Sequence, residues 1–220
     1  DAGHAHHPPA DLIAAGAEAL ITISASPYRR GVMAKRLAQA RRPRCPLIYV
    51  NLCGATDELI FDGRSFALDA EGELLAQLPG FEEAVQVVDL EAAHEPPATS
   101  TKHPTSNLQP PEATIFQALM LGVRDFCHKN GMRRAFLGLS GGIDSAVGAV
   151  IAAEALGPAN VTAVAIPGRY TDSRSTSSAE ALARALGIGF EVVPLEPLHA
   201  AAESALGDLL SHGTTGENIQ

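Results

Sequence analysis

Tryptophan is absent from the 220 residues, and all aromatic residues together make up 5% of them. Cysteine is nearly as scarce. Cys45, Cys53 and Cys127 form no C-x-x-C pair, which excludes a disulfide framework and a zinc knuckle and suits a reducing cytosol. Positive charge is in deficit, with 16 Lys and Arg against 25 Asp and Glu and a formal net charge of -9. A nucleic-acid binder would carry a basic face to neutralise phosphates, so that class is excluded. No apolar run approaches the roughly 18 residues a membrane span needs, and no basic-then-apolar leader opens the chain. A soluble cytoplasmic protein with no nucleic-acid or membrane partner is expected. Small anions stay possible, because one loop can gather local positive potential whatever the global sign. The chain opens on Asp1 and closes on "GTTGENIQ" without a terminating turn, so a segment of a longer protein is expected.

What is present is ordinary for a globular α/β protein: 46% apolar and 19% charged residues. "PPADLIAAGAEAL" reads as a short helix and "ALITISAS" as a strand. In "RRGVMAKRLAQARR", Val32, Met33, Leu37 and Ala40 share one helical face, with the basic residues elsewhere. "CPLIYVNLCG" is apolar almost throughout, as in a strand covered on both faces. Asp62-Gly63 and Glu71-Gly72 punctuate "ELIFDGRSFALDAEGELLAQL" as hairpin turns, and "AVQVVDLE" predicts one more strand. Residues 92–111 then carry five prolines and almost no large apolar side chain, which predicts a linker. Beyond it, "EATIFQALMLGVRDFCHKNG" predicts a helix closed by Asn130-Gly131. Strands "RAFLGL", "NVTAVAIP" and "GFEVVPL" alternate with helices that end at Gly157 and Gly187. Such alternation predicts a parallel sheet with ligands beyond the carboxyl ends of its strands.

At one such end stands "LGLSGGIDSAV", Leu137 to Val147. Gly138-Leu139-Ser140-Gly141-Gly142 fits the G-x-S-x-G elbow of a serine hydrolase. That reading needs an acid and a histidine downstream, for which Asp172, Asp208, His199 and His212 are available, and an oxyanion segment upstream, which is missing. A dinucleotide fingerprint would need glycine at Ser140 and Ile143, and no Gly-Lys-Ser/Thr completes a Walker loop. A phosphate cradle uses more of the stretch. Gly141-Gly142 lets several N–H groups turn inward, Ser140 and Ser145 add hydroxyls, and a helix starts near Asp144. A carboxylate among phosphates calls for a divalent cation between them, so magnesium is implied.

S-G-G-I-D-S after a buried strand resembles the loop of the ATP pyrophosphatases. With "VTAVAIPGRYTDSRSTSSAEALARALGI" and the closing "ENIQ", the second half resembles the glutamine-dependent NAD synthetases. In the first half, "GAEALITISASPY" and "PLIYVNLCGATDELIFDGRSFALDAEGEL" resemble the nitrilase-type glutaminase domain of that family. The resemblance implies residues 1–91 as part of a nitrilase-like α/β sandwich, 92–111 as linker, and 112–220 as part of a Rossmann-like parallel α/β ATP pyrophosphatase domain.

It further implies a C–N ligase that amidates nicotinic acid adenine dinucleotide with glutamine-derived ammonia. An adenylated intermediate forms, and AMP and pyrophosphate are released. ATP would be held by Gly138, Leu139, Ser140, Gly141, Gly142, Ile143, Asp144 and Ser145, with Arg169 nearby and Asp144 as the magnesium ligand. Glu217 and Asn218 would meet the nicotinate dinucleotide, and Ser26 would meet glutamine. The full-length enzyme is expected to be homo-oligomeric. Another ATP pyrophosphatase amidotransferase is the near alternative.

Two positions depart from the family pattern: Gly168 where serine is usual, and Val32 where a basic residue is usual. None of the three cysteines matches the glutaminase nucleophile, whose Cys-Glu-Asp triplet ends at Asp1 in this resemblance. The 220-residue chain alone is therefore expected to release no ammonia from glutamine. His4, His6 and His7 read as a polar end rather than a metal site.

Overall fold

The computed structural model describes residues 8–90 and 111–210. The chain divides into two compact units, Asp1–Phe126 and Cys127–Gln220. In the first, helix α1 (Pro8–Ala14) leads to a parallel βαβ crossover of β1 (Leu20–Ser24), α2 (Val32–Ala40) and β2 (Leu47–Asn51). Strands β3 (Cys53–Thr56) and β4 (Leu59–Asp62) form a separate two-stranded sheet. Strands β5 (Phe66–Leu68) and β6 (Leu74–Gln77) return to the first sheet, in the order β1-β2-β5-β6 with antiparallel β2·β5 and β5·β6 pairs.

Met33, Leu37 and Ala40 of α2 pack on Leu20, Leu47, Phe66 and Leu68, as the helical spacing predicts. Tyr49 stacks on Phe66 at 4.9 Å. Helix α3 (Pro111–Lys129) sets Ala118 and Leu121 against Phe81, and Asp125 accepts a hydrogen bond from the Ala55 N–H at 2.8 Å.

Three sequence expectations need correction here. Glu71-Gly72 does close the β5–β6 hairpin, but Asp62-Gly63 does not close one: it carries the chain from one sheet to the other. The other hairpin turns at Asp57, whose φ of 50° supplies the left-handed step. Second, the strand expected over "AVQVVDLE" is not formed across its described residues 84–90. A strand needs a neighbour's ladder, and Val85 and Val87 are almost fully exposed instead. Third, the sheet is not covered on both faces among the described residues. Ile21, Ile23 and Val50 stand 70%, 85% and 42% exposed. The expected linker lies outside the described residues, apart from Pro111 at the start of α3.

In the second unit, β7 (Ala135–Gly138), α4 (Ile143–Leu156), β8 (Val161–Ala165), α5 (Ser173–Leu186) and β9 (Gly189–Val192) alternate as expected. The three strands are parallel in the order β7-β8-β9. Alanines 149, 153, 163, 179 and 183 are all buried, so α4 and α5 approach the sheet closely. A further helix, α6 (Glu196–Leu210), follows.

The end of α5 is set by Gly187, whose φ of 69° lets the Ile188 N–H reach back to the Ala183 carbonyl. A Cβ there would meet only the Pro158 Cβ at 3.8 Å. Gly187→Ala is therefore expected to cost only the left-handed penalty, about 1–2 kcal/mol, read from urea unfolding midpoints.

Candidate functional site

The loop from Gly138 to Ser145 leaves the carboxyl end of β7 and enters α4. Leu139 is buried and its N–H donates to the Val164 carbonyl of β8, which pins the loop's root to the sheet. Ser140 and Ser145 face each other with hydroxyl oxygens 3.0 Å apart. The Ser145 hydroxyl donates to the Gly142 carbonyl at 3.0 Å, and the N–H groups of Ser140 and Gly142 donate to the Ser145 and Ser140 hydroxyls. Gly142 is the N-cap of α4 and no side chain caps the helix. Its first turn thus presents the positive helix end, and Ile143 and Asp144 at that turn are exposed. Gly141 has φ of 81°, and a Cβ on it would collide with the Ser175 carbonyl of α5. An uncapped helix start of this kind has the chemistry to receive an anion.

Arg169 lies in the turn after β8. Glu196 takes its guanidinium in a fork at 2.9 and 3.3 Å, Glu203 approaches at 3.3 Å, and His199 Nδ1 lies 2.6 Å from Nη2. The hydrogen bonds to Glu196, then to Glu203, raise its pKa above the ordinary value. A cavity of 230 Å³ opens between this turn and α6, lined by Ile166, Tyr170, Leu195 and His199 among others. Asp172 caps α5 by accepting the Arg174 N–H at 2.9 Å. The Arg174 side chain, then that N–H, hold the Asp172 carboxyl below the usual carboxylate range. The ionised cap therefore persists above the unfolded value and is lost as pH falls through the lowered one.

In the first unit, Ser26 follows β1, beyond the carboxyl ends of the parallel pair β1 and β2. Asn51 accepts from its N–H at 2.9 Å and donates to its carbonyl at 3.2 Å. Arg36 of α2 donates to the same carbonyl at 2.7 Å and to the Ser26 hydroxyl at 3.2 Å, and forms a buried ion pair with Asp62 at 2.8 Å. Sequence reasoning set Arg36 with the basic residues away from the core, yet it is 4% exposed. The signal was available, since residue 36 falls four after Val32 and four before Ala40, on the apolar face.

Glu217 and Asn218 lie outside the described residues. Among the described residues no cluster of three or more His, Cys, Asp or Glu side chains could hold a metal ion. Asp144, exposed in the first turn of α4, is compatible in chemistry with magnesium that arrives on nucleotide phosphates, because that ion needs only one or two protein carboxylates.

A hydrolase triad is not brought together among the described residues. The Ser140 hydroxyl pairs with Ser145, His199 lies against Arg169, and Asp172 caps α5. The side chains of Asp208 and His212 lie outside the described residues. Cys45 is buried, and burial, helped by Glu83 and Asp125, pushes the Cys53 thiol up, opposite to what a thiolate nucleophile needs.

Residues 115–220 match the NAD synthase family model. The chain is 44% identical to the glutamine-dependent NAD(+) synthetase of Rhodobacter capsulatus, covering 95% of this chain and 39% of that protein. With the Synechocystis enzyme of the same name the identity is 39%, over 97% of this chain and 39% of that one. A solved glutamine-dependent NAD+ synthetase from Acinetobacter baumannii, in complex with ADP, superposes with a TM-score of 0.81 at 27% identity, covering 95% of this chain and 40% of that one. The chain spans 39% of the length of those two curated relatives. Residues 115–220 thus carry the match to the NAD synthase family, and over nearly its whole length the chain is similar to part of the glutamine-dependent NAD(+) synthetases.

Proposed function

We propose that this chain is part of a ligase that uses ATP to amidate nicotinic acid adenine dinucleotide with ammonia drawn from glutamine. The observation that carries the reading is the uncapped start of α4 after a left-handed Gly141, with the Ser140 and Ser145 hydroxyls paired at 3.0 Å and Asp144 in the helix's first turn. A carboxylate oxygen leaves poorly until AMP is attached to it. Adenylation therefore requires a place where charge on the departing pyrophosphate is stabilised. N–H groups of the loop and of α4's first turn would hold the phosphates, and the two serine hydroxyls would orient them. Asp144 would hold magnesium, which neutralises phosphate charge when bound. Glu217 and Asn218 are assigned to the nicotinate dinucleotide and Ser26 to glutamine, as the family resemblance implies.

Arg169 is assigned near the nucleotide, with Glu196 and Glu203 holding its guanidinium on the α6 side of the turn. Residues 1–91 would serve the glutaminase half and 112–220 the synthetase half, and the full-length enzyme would be cytoplasmic and homo-oligomeric. The three cysteines, all free, suit a reducing compartment. No described helix is long and apolar enough to cross a membrane.

Calorimetric titration of the full-length protein with ATP and magnesium tests the cradle, and absence of binding overturns it. Ser140→Ala is expected to weaken ATP use by about 1–3 kcal/mol, one or two hydrogen bonds. Loss of an acylation nucleophile would instead remove essentially all turnover. Stoichiometric labelling of Ser140 by a fluorophosphonate would establish the hydrolase instead.

A further inference from the structure

We infer that the buried Arg36–Asp62 ion pair, together with Asn51, positions Ser26 as a hydrogen-bond donor to an oxygen of glutamine. This deepens the reading of Ser26 as a glutamine contact and rests on it.

Every polar atom of Ser26 is engaged from behind. Its N–H and carbonyl are held by the Asn51 amide, and the carbonyl also takes Arg36 Nη2. Its hydroxyl oxygen takes Arg36 Nε at 3.2 Å. Arginine has donors and no acceptor, so the Ser26 oxygen accepts in this contact and its own hydrogen is left to point elsewhere. Beside a fixed guanidinium, that hydroxyl is polarised as a donor. An ammonium group has no acceptor to offer it, so the acceptor on glutamine is its α-carboxylate or its side-chain carbonyl.

The geometry is rigid because both anchors are buried. Arg36 is 4%, Asn51 6% and Asp62 1% exposed. Asp62 supplies the counter-charge that lets Arg36 sit there, and the Asn51 N–H is fixed in turn by the Ser65 hydroxyl at 3.0 Å. The network ties the turn after β1 to α2, β2 and β4.

The test uses full-length protein, with NAD formation driven in parallel by glutamine and by free ammonia. Arg36→Lys keeps the charge opposite Asp62 but cannot bond the Ser26 carbonyl and hydroxyl at once. Asn51→Ala leaves the ion pair and removes the amide clamp, so it decides the matter if Arg36→Lys does not fold. Each is expected to raise KM for glutamine about tenfold, with ammonia-driven turnover unchanged. Glutaminamide, which lacks the α-carboxylate, separates the two oxygens: a smaller Arg36→Lys effect assigns the carboxylate and an equal effect the side-chain carbonyl. An unchanged glutamine KM in both variants, or equal losses with glutamine and ammonia, overturns the positioning role. Wild-type protein that makes NAD from ammonia but not from glutamine overturns the underlying reading instead.

Discussion

AMP formation by the full-length protein, measured with saturating ammonia, is expected to vanish in Asp144→Ala while the fold survives. Asp144 is exposed, in the first turn of α4, and is the one carboxylate between Gly138 and Ser145. Removing it leaves no cavity, and the helix loses only a favourable charge at its positive end, worth about 0.3–1 kcal/mol. The functional loss is of another order. Phosphates brought to this loop would face the N–H groups without the carboxylate that anchors their counter-ion, so the departing pyrophosphate would lose its stabilisation. Circular dichroism and a thermal scan check the fold, and an AMP assay checks the chemistry. Undiminished AMP release would remove Asp144 from the site.

Gly141→Ala is expected to abolish nucleotide binding by a different route. At φ of 81° an L-residue already bears the left-handed penalty of about 1–2 kcal/mol. Gly187→Ala bears the same penalty and little else, because its Cβ has room. At Gly141 the added carbon would also strike the backbone carbonyl of Ser175, which cannot rotate away as a side chain can. The loop must then shift off α5, and the Ser140–Ser145 pairing shifts with it. ATP titration beside urea unfolding reads both effects. The Gly141 variant should lose measurable ATP binding and at least about 2 kcal/mol of stability, whereas the Gly187 variant keeps its ATP affinity. ATP affinity preserved in Gly141→Ala would show that the loop's backbone path is not what holds the phosphates.

The parts of the fold legible in the sequence were those specified locally. Short apolar runs, helical spacing and glycine stops marked β7, α4, β8, α5 and β9 as they stand in the structure. The loop at Gly138 to Ser145 was legible for the same reason, since a turn of consecutive glycines between a strand and a helix carries its own backbone constraint. The strand expected over 84–90 failed because alternation marks a strand only where a neighbour offers a ladder, and none does so among the described residues.

What only tertiary structure decided involves partners distant in the chain. Asp62-Gly63 has the composition of a hairpin turn, yet β4 pairs with β3 while β5 pairs with β2, so the same two residues carry the chain between sheets. Arg169 was legible as a basic residue past a strand, but its two carboxylate partners come from α6, about thirty positions on. Arg36 meets Asp62 across 26 residues and Ser26 meets Asn51 across 25. A side chain's charge and a strand's alternation are properties of the local sequence. Whether that charge is buried against a counter-charge depends on which elements the folded backbone brings together.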